Sequence, residues 1–142
     1  MSKIYFSLGE ANEMIQKIRP MLKEINLLRE ELDLLDNTKI EFEDEKVENY
    51  LLEVELNKNF HEKNLRLYQI IGELIKMGCI VKNIDNLEID LYSKLENKDI
   101  TFCWSPGQEK IFYWHFPHEE KKRRRPIREI ESYYFETLKR LR

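Results

Sequence analysis

Between Ile100 and His115 the chain reads Ile-Thr-Phe-Cys-Trp-Ser-Pro-Gly-Gln-Glu-Lys-Ile-Phe-Tyr-Trp-His, with a thiol, a carboxyl and an imidazole around a Pro-Gly turn. Alternate residues of a strand share a face. If Leu87, Ile89, Leu91, Ile100, Phe102 and Trp104 face a core, Asp90 and Cys103 point away from it. In the next segment Phe112, Trp114 and Phe116 share one face, and Glu109, Ile111, Tyr113 and His115 the other. Turning the more aromatic face inward gathers Asp90, Cys103, Glu109 and His115 on the second face. Imidazole, thiolate and carboxylate suit a divalent transition metal, with Cys103 and His115 as candidate ligands. The same group could do acid–base work, with His115 tuned by Glu109 or Asp90. Arg124 or Arg125 could bind an anionic group. A plainer reading leaves His115 hydrogen-bonded locally, Cys103 filling a small gap and the acids solvated. No HExxH or CxxC spacing fixes a ligand geometry, so no catalytic residue, metal or cofactor is assigned, and the reading leans away from an enzyme.

Two other histidines fit quieter roles: His118 follows Pro117, which breaks strand regularity, and His61 falls among helical apolar positions. The basic run Lys121, Lys122, Arg123, Arg124 and Arg125 could neutralise phosphates of RNA or a ribosome, with Tyr133, Tyr134 and Phe135 stacking on bases. It could equally be a solvated stretch before an amphipathic helix. The formal net charge of -3 conceals an uneven distribution: Arg29 to Glu62 holds twelve acids against four bases, and Glu119 to Arg142 nine bases against five acids. A basic segment can therefore seek an anionic partner, or the acidic end of a second copy, in a chain whose sum is acidic.

The elements that position these residues follow from the hydrophobic period. Ser7-Leu-Gly-Glu10 is a capping box, and Leu8, Ala11, Ile15, Ile18, Leu22 and Ile25 then recur at coiled-coil-like spacing. This predicts a helix to about Asp36, kinked or restarted at Pro20. Residues 38–44 read as a connecting loop. A second helix reaches Met77, carrying Val47, Leu51 and Val54 and then Leu56, Phe60, Leu67, Ile70 and Leu74; its two overlapping stripes predict a broad buried face. Gly78 stops it in the left-handed region. Beyond Gly78 the period becomes 2, with strands at Cys79 to Lys82, Leu87 to Tyr92, Ile100 to Trp104 and Glu109 to Phe116. A final amphipathic helix starts near Pro126, with Ile127, Ile130, Tyr134, Leu138 and Leu141 on one face.

The fold expected is α+β: a long antiparallel helical hairpin over 7–77, a three- to four-stranded antiparallel meander over 79–116 and a C-terminal helix over 126–142, all one domain. The 142 residues lack a signal-like N-terminus and any run of about 20 apolar residues, so a cytoplasmic protein with no membrane contact is expected. Two isolated cysteines argue against a disulfide scaffold. The leading functional expectation is an interaction module that dimerises with itself through the hairpin, because two apolar stripes are hard to cover with one small sheet.

Four local patterns add a resemblance: Phe6-Ser-Leu-Gly-Glu-Ala-Asn12 with Arg19-Pro20; Gly78-Cys-Ile-Val-Lys-Asn-Ile-Asp85 with Leu87-Glu-Ile-Asp90; Phe102-Cys-Trp104 with Gly107 and Glu109; and Tyr113-Trp-His115 with Arg124-Arg-Pro-Ile127. In order and spacing they resemble the domain-of-unknown-function family 2203, small bacterial and archaeal proteins sometimes labelled cell-division-like. The resemblance implies an α+β protein with no established activity. It also implies that Asp90, Cys103, Glu109, His115 and Arg124 or Arg125 are the polar members of the family's patterns. The chain departs from that pattern at Phe116-Pro-His-Glu-Glu-Lys-Lys122, where an acidic residue and a glycine-containing segment are expected, and at Tyr92, where a proline is. The helix after Ile127 stands as an added piece.

Overall fold

The computed structural model describes residues 3–42 and 50–140. Helices α1 (Leu8–Phe42) and α2 (Tyr50–Lys76) precede strands β1 (Cys79–Asn83), β2 (Glu88–Leu95), β3 (Lys98–Trp104), β4 (Tyr113–His115) and β5 (Arg125–Pro126), and helix α3 (Arg128–Arg140) closes the chain. The described residues fall into two compact units, one holding residues up to Ile18 together with those from Leu74 onward, the other Arg19–Glu73.

In the Arg19–Glu73 unit, Leu22, Ile25 and Leu28 of α1 and Leu67 and Ile70 of α2 are buried. Glu24 pairs with Arg66 and Glu31 with Lys63, which sets the two helices antiparallel. Two expectations about α1 are corrected. It does not restart at Pro20, and it continues past Asp36 to Phe42, taking in the first part of the expected loop. Asp-Asn-Thr contains neither the proline nor the glycine that would interrupt the ladder of helical hydrogen bonds. Residues 43–49, including Val47, and Leu141 lie outside the described residues. The broad buried face expected of α2 is also corrected. Leu51, Val54, Leu65 and Tyr68 are exposed, at 78%, 45%, 60% and 65%. They make two exposed apolar pairs on one face of α2, with Lys58 and His61 at the helical positions between them.

In the other unit, α1 starts at the anticipated capping box: the Ser7 amide donates to Glu10 Oε1 at 3.0 Å and the Glu10 amide to Ser7 Oγ at 3.2 Å. Its first turns are tied to the chain before β4 by the Ile111 amide, which donates to Asn12 Oδ1 at 2.9 Å. The sheet is an antiparallel meander in the order β1-β2-β3-β4-β5, with one strand more than the largest expected number. Beyond Cys79, where β1 starts opposite Leu91, the N-terminal segment continues the pairing with β2 through a parallel bridge from Tyr5 to Tyr92. Lys3, Tyr5 and Lys94 all donate to or pair with the Asp99 carboxylate, which they hold down at about 2.

Pro126 stands in β5 rather than in the first turn of the last helix. Opposite Tyr113 on an edge strand, its missing N–H withdraws no bond from a central ladder. Helix α3 then begins on the Ile127 carbonyl, which accepts from the amides of Ile130 and Glu131. Among the described residues no helix is long and apolar enough to cross a membrane.

Gly78 carries the turn from α2 into β1 at a φ of 98°. A β-carbon there would lie 2.9 Å from Ile4 Cβ and 3.0 Å from the Phe6 ring. Gly78→Ala is expected to lower stability by about 1–3 kcal/mol, read as an earlier urea midpoint. Gly72→Ala, at a helical position with open space around it, is expected to raise stability by about 0.5–1 kcal/mol. A Gly78→Ala variant as stable as the parent would show that a β-carbon there meets no strain.

Candidate functional site

The meander register separates two chemistries. Leu91, Phe102 and Trp114 lie opposite one another across β2, β3 and β4, and Ile89 opposes Trp104, all buried on one face. On the other face Asp90 opposes Cys103 and Thr101 opposes His115. These four are buried too, each no more than 5% exposed. Asp90, Cys103 and His115 each offer one ligand atom, and these atoms lie within 4.8 Å of one another. They border a pocket of about 420 Å³ whose other walls include Lys82, Asn83, Glu88, Trp104, Glu119 and Glu120.

Hydrogen bonds fix the His115 ring. Nδ1 lies 2.7 Å from the Phe116 carbonyl, which can only accept, so the ring proton is assigned to Nδ1. The Thr101 hydroxyl, 3.0 Å from Nδ1 and 3.2 Å from Nε2, donates to the His115 carbonyl at 3.0 Å and so meets the ring with lone pairs. In the neutral ring Nε2 carries a lone pair, and it faces Asp90 Oδ2 at 3.4 Å. Two lone pairs opposed in a buried site require a cation or a shared proton between them.

Burial pushes the Asp90 carboxyl above its usual range, while the His115 ring and the Lys82 ammonium 3.9 Å away draw it back. Burial also pushes the Cys79 thiol up to about 11. Cys79 opposes Leu91, and so lies on the apolar face away from Cys103. Both cysteines are thiols, not a disulfide.

Two irregularities shape the pocket mouth. The β1–β2 register shifts between Val81 and Asn83, so Lys82 is an extra residue in a bulge. Leu87, just before Glu88, has a φ of 52°, a rare conformation for a bulky side chain, and is nonetheless buried. Asn83 Oδ1 stabilises the turn between them by accepting from the amides of Asp85 and Asn86.

Of the residues singled out in the sequence, the structure brings Asp90, Cys103 and His115 together and leaves Glu109 out. Glu109 is exposed, and its carbonyl accepts from Gln16. Strand β4 begins only at Tyr113, so the parity expected from Glu109 onward does not hold: Ile111 is buried and Phe112 exposed. Arg124 lies over the Tyr113 ring at 4.0 Å, and Arg125 over Trp114 and Phe116 while holding Glu119 at 2.8 Å. Lys122 pairs with Glu120. These members of the basic run thus have partners within the protein. Thr101, Lys82, Glu88 and Glu119 were not singled out in the sequence. Thr101 shares the parity of Cys103 and His115 and could have been found by it; the Lys82 bulge leaves no signature in residue spacing.

A family profile described as "Uncharacterized conserved protein (DUF2203)" matches residues 4–127, and the chain belongs to that family. No curated protein and no solved structure matches it.

Thr101→Val, which keeps the shape and removes the hydroxyl, is expected to cost about 1–2 kcal/mol in urea denaturation. Thr101→Ser should recover most of it. Equal stability of the valine variant and the parent would show that the hydroxyl does not brace His115.

Proposed function

We propose that this member of the family is a divalent transition-metal-binding protein, with Asp90 Oδ2, Cys103 Sγ and His115 Nε2 as ligands. The observation that carries the reading is the convergence of the three buried ligand atoms on neighbouring strands within 4.8 Å. The His115 tautomer supports it, since metal-bound histidines commonly donate their other ring N–H to a backbone carbonyl, as Nδ1 does to Phe116. One thiolate, one imidazole and one carboxylate suit Zn²⁺ better than Mg²⁺ or Ca²⁺, which prefer all-oxygen shells. Three protein ligands leave one position of a tetrahedral ion for the pocket. A metal held there would supply Lewis acidity to whatever enters. The site needs Cys103 as a thiolate, which a reducing cytoplasm permits.

Protein purified without chelator is expected to carry one Zn²⁺ per chain, read by native mass spectrometry, or to take up one Co²⁺ with a thiolate-to-cobalt charge-transfer band. Cys103→Ser should abolish that band, and His115→Ala should weaken binding at least about tenfold. Failure of the folded parent to hold Zn²⁺ or Co²⁺ at micromolar concentration would overturn the assignment.

A second reading rests on a different observation: the exposed stripe of Leu51, Val54, Leu65 and Tyr68 on α2. Leu51 with Val54 and Leu65 with Tyr68 are apolar pairs two heptads apart on one helix face, and a second copy would present the same face. Leu65→Glu is expected to shift sedimentation from dimer to monomer while leaving metal uptake unchanged. A parent that sediments as a monomer at 100 micromolar would reject self-association.

A further inference from the structure

Resting on the metal reading, we infer that the pocket beside Asp90, Cys103 and His115 binds a singly charged oxyanion of the carboxylate class, held between the metal and the Lys82 ammonium.

The argument begins with charge. A divalent ion bound by one carboxylate, one thiolate and one neutral imidazole has a local sum of zero. Lys82 now offsets the buried Asp90 carboxylate at 3.9 Å. If a metal takes up that carboxylate, the ammonium remains at the pocket wall beside it, and an anion in the pocket would gain from both cations. Among the described residues lining the pocket, Lys82 is the one lysine or arginine. Arg125 and Lys122 pair with the other acids of the pocket wall, Glu119 and Glu120.

Backbone geometry supports the same role. Lys82 is the extra residue of the β1 bulge, a device that re-aims a side chain and is common beside active sites. The opposite strand enters through Leu87 in a left-handed conformation, a strain of the kind that gathers at ligand sites. Both irregularities set groups at the mouth of one pocket, Lys82 from one strand and Glu88 from the other.

Glu88 sets the limit on charge. It lines the pocket, and its field acts on Asp90. A carboxylate, sharing one negative charge between metal and ammonium, meets less repulsion there than a doubly charged phosphate. A pocket of about 420 Å³ leaves room for a short organic tail beside the anion.

The test uses the full chain loaded with Co²⁺, titrated with sodium acetate against sodium perchlorate at constant ionic strength. The visible spectrum should shift saturably with acetate. Lys82→Met should keep one Co²⁺ per chain and weaken acetate binding about tenfold or more, the worth of one contact to a charged group. Lys82→Arg should restore much of the loss. No saturable shift in the Co²⁺-loaded parent would overturn the inference while leaving the metal site standing. So would acetate binding unaffected by Lys82→Met, or phosphate binding more tightly than acetate. If Co²⁺ itself fails to bind, the metal reading falls and this inference falls with it.

Discussion

The register between β2 and β3 is the constraint on which the rest depends. Asp90 faces Cys103 and Leu91 faces Phe102, so the ladder presents an apolar surface on one side and a buried polar row on the other. A slip by one residue would turn Asp90 into the apolar layer and bring Leu91 to the pocket. The register is pinned at both ends, by the tight Glu96-Asn97 turn, where both residues have positive φ, and by Leu87. Neither Glu nor Leu favours that conformation, and packing and pairing elsewhere hold them in it.

Burying a polar row is costly unless its members satisfy one another. Here the Thr101 hydroxyl, the His115 ring and two backbone carbonyls form a connected set, and the lone pairs it does not use converge next to Cys103. A small soluble sheet usually leaves its second face to water. This one encloses a carboxylate, a thiol and an imidazole, which lie buried within 4.8 Å of one another.

Most of the architecture was legible in the sequence because it follows from period. The 3-4 spacing from Leu8 to Ile25, the capping box at Ser7, the stop at Gly78 and the alternation through Leu91 and Trp104 each reflect a local rule, and each stands in the structure. Three of the four residues gathered by parity come together for the same reason. What escaped depended on departures from period. Glu109 was misplaced because the chain before Tyr113 follows α1 through Asn12 and Gln16 instead of pairing as a strand. Pro126 reads as a helix start by composition, yet pairing with Tyr113 outweighs that preference. Exposure of Leu51, Val54, Leu65 and Tyr68 could not be read from spacing, since apolar residues at helical intervals look the same with or without a partner.

The three converging side chains come from consecutive strands of one meander, so assembling the cluster requires closing only short stretches of chain. Loop-closure entropy grows with the length enclosed, and contacts between sequence neighbours form early and fast. Asp90, Cys103 and His115 can therefore meet as soon as two successive hairpins have formed, before the ends of the chain find their places. The order of folding events, and not only the final geometry, then favours a cluster that exists first and is enclosed afterwards.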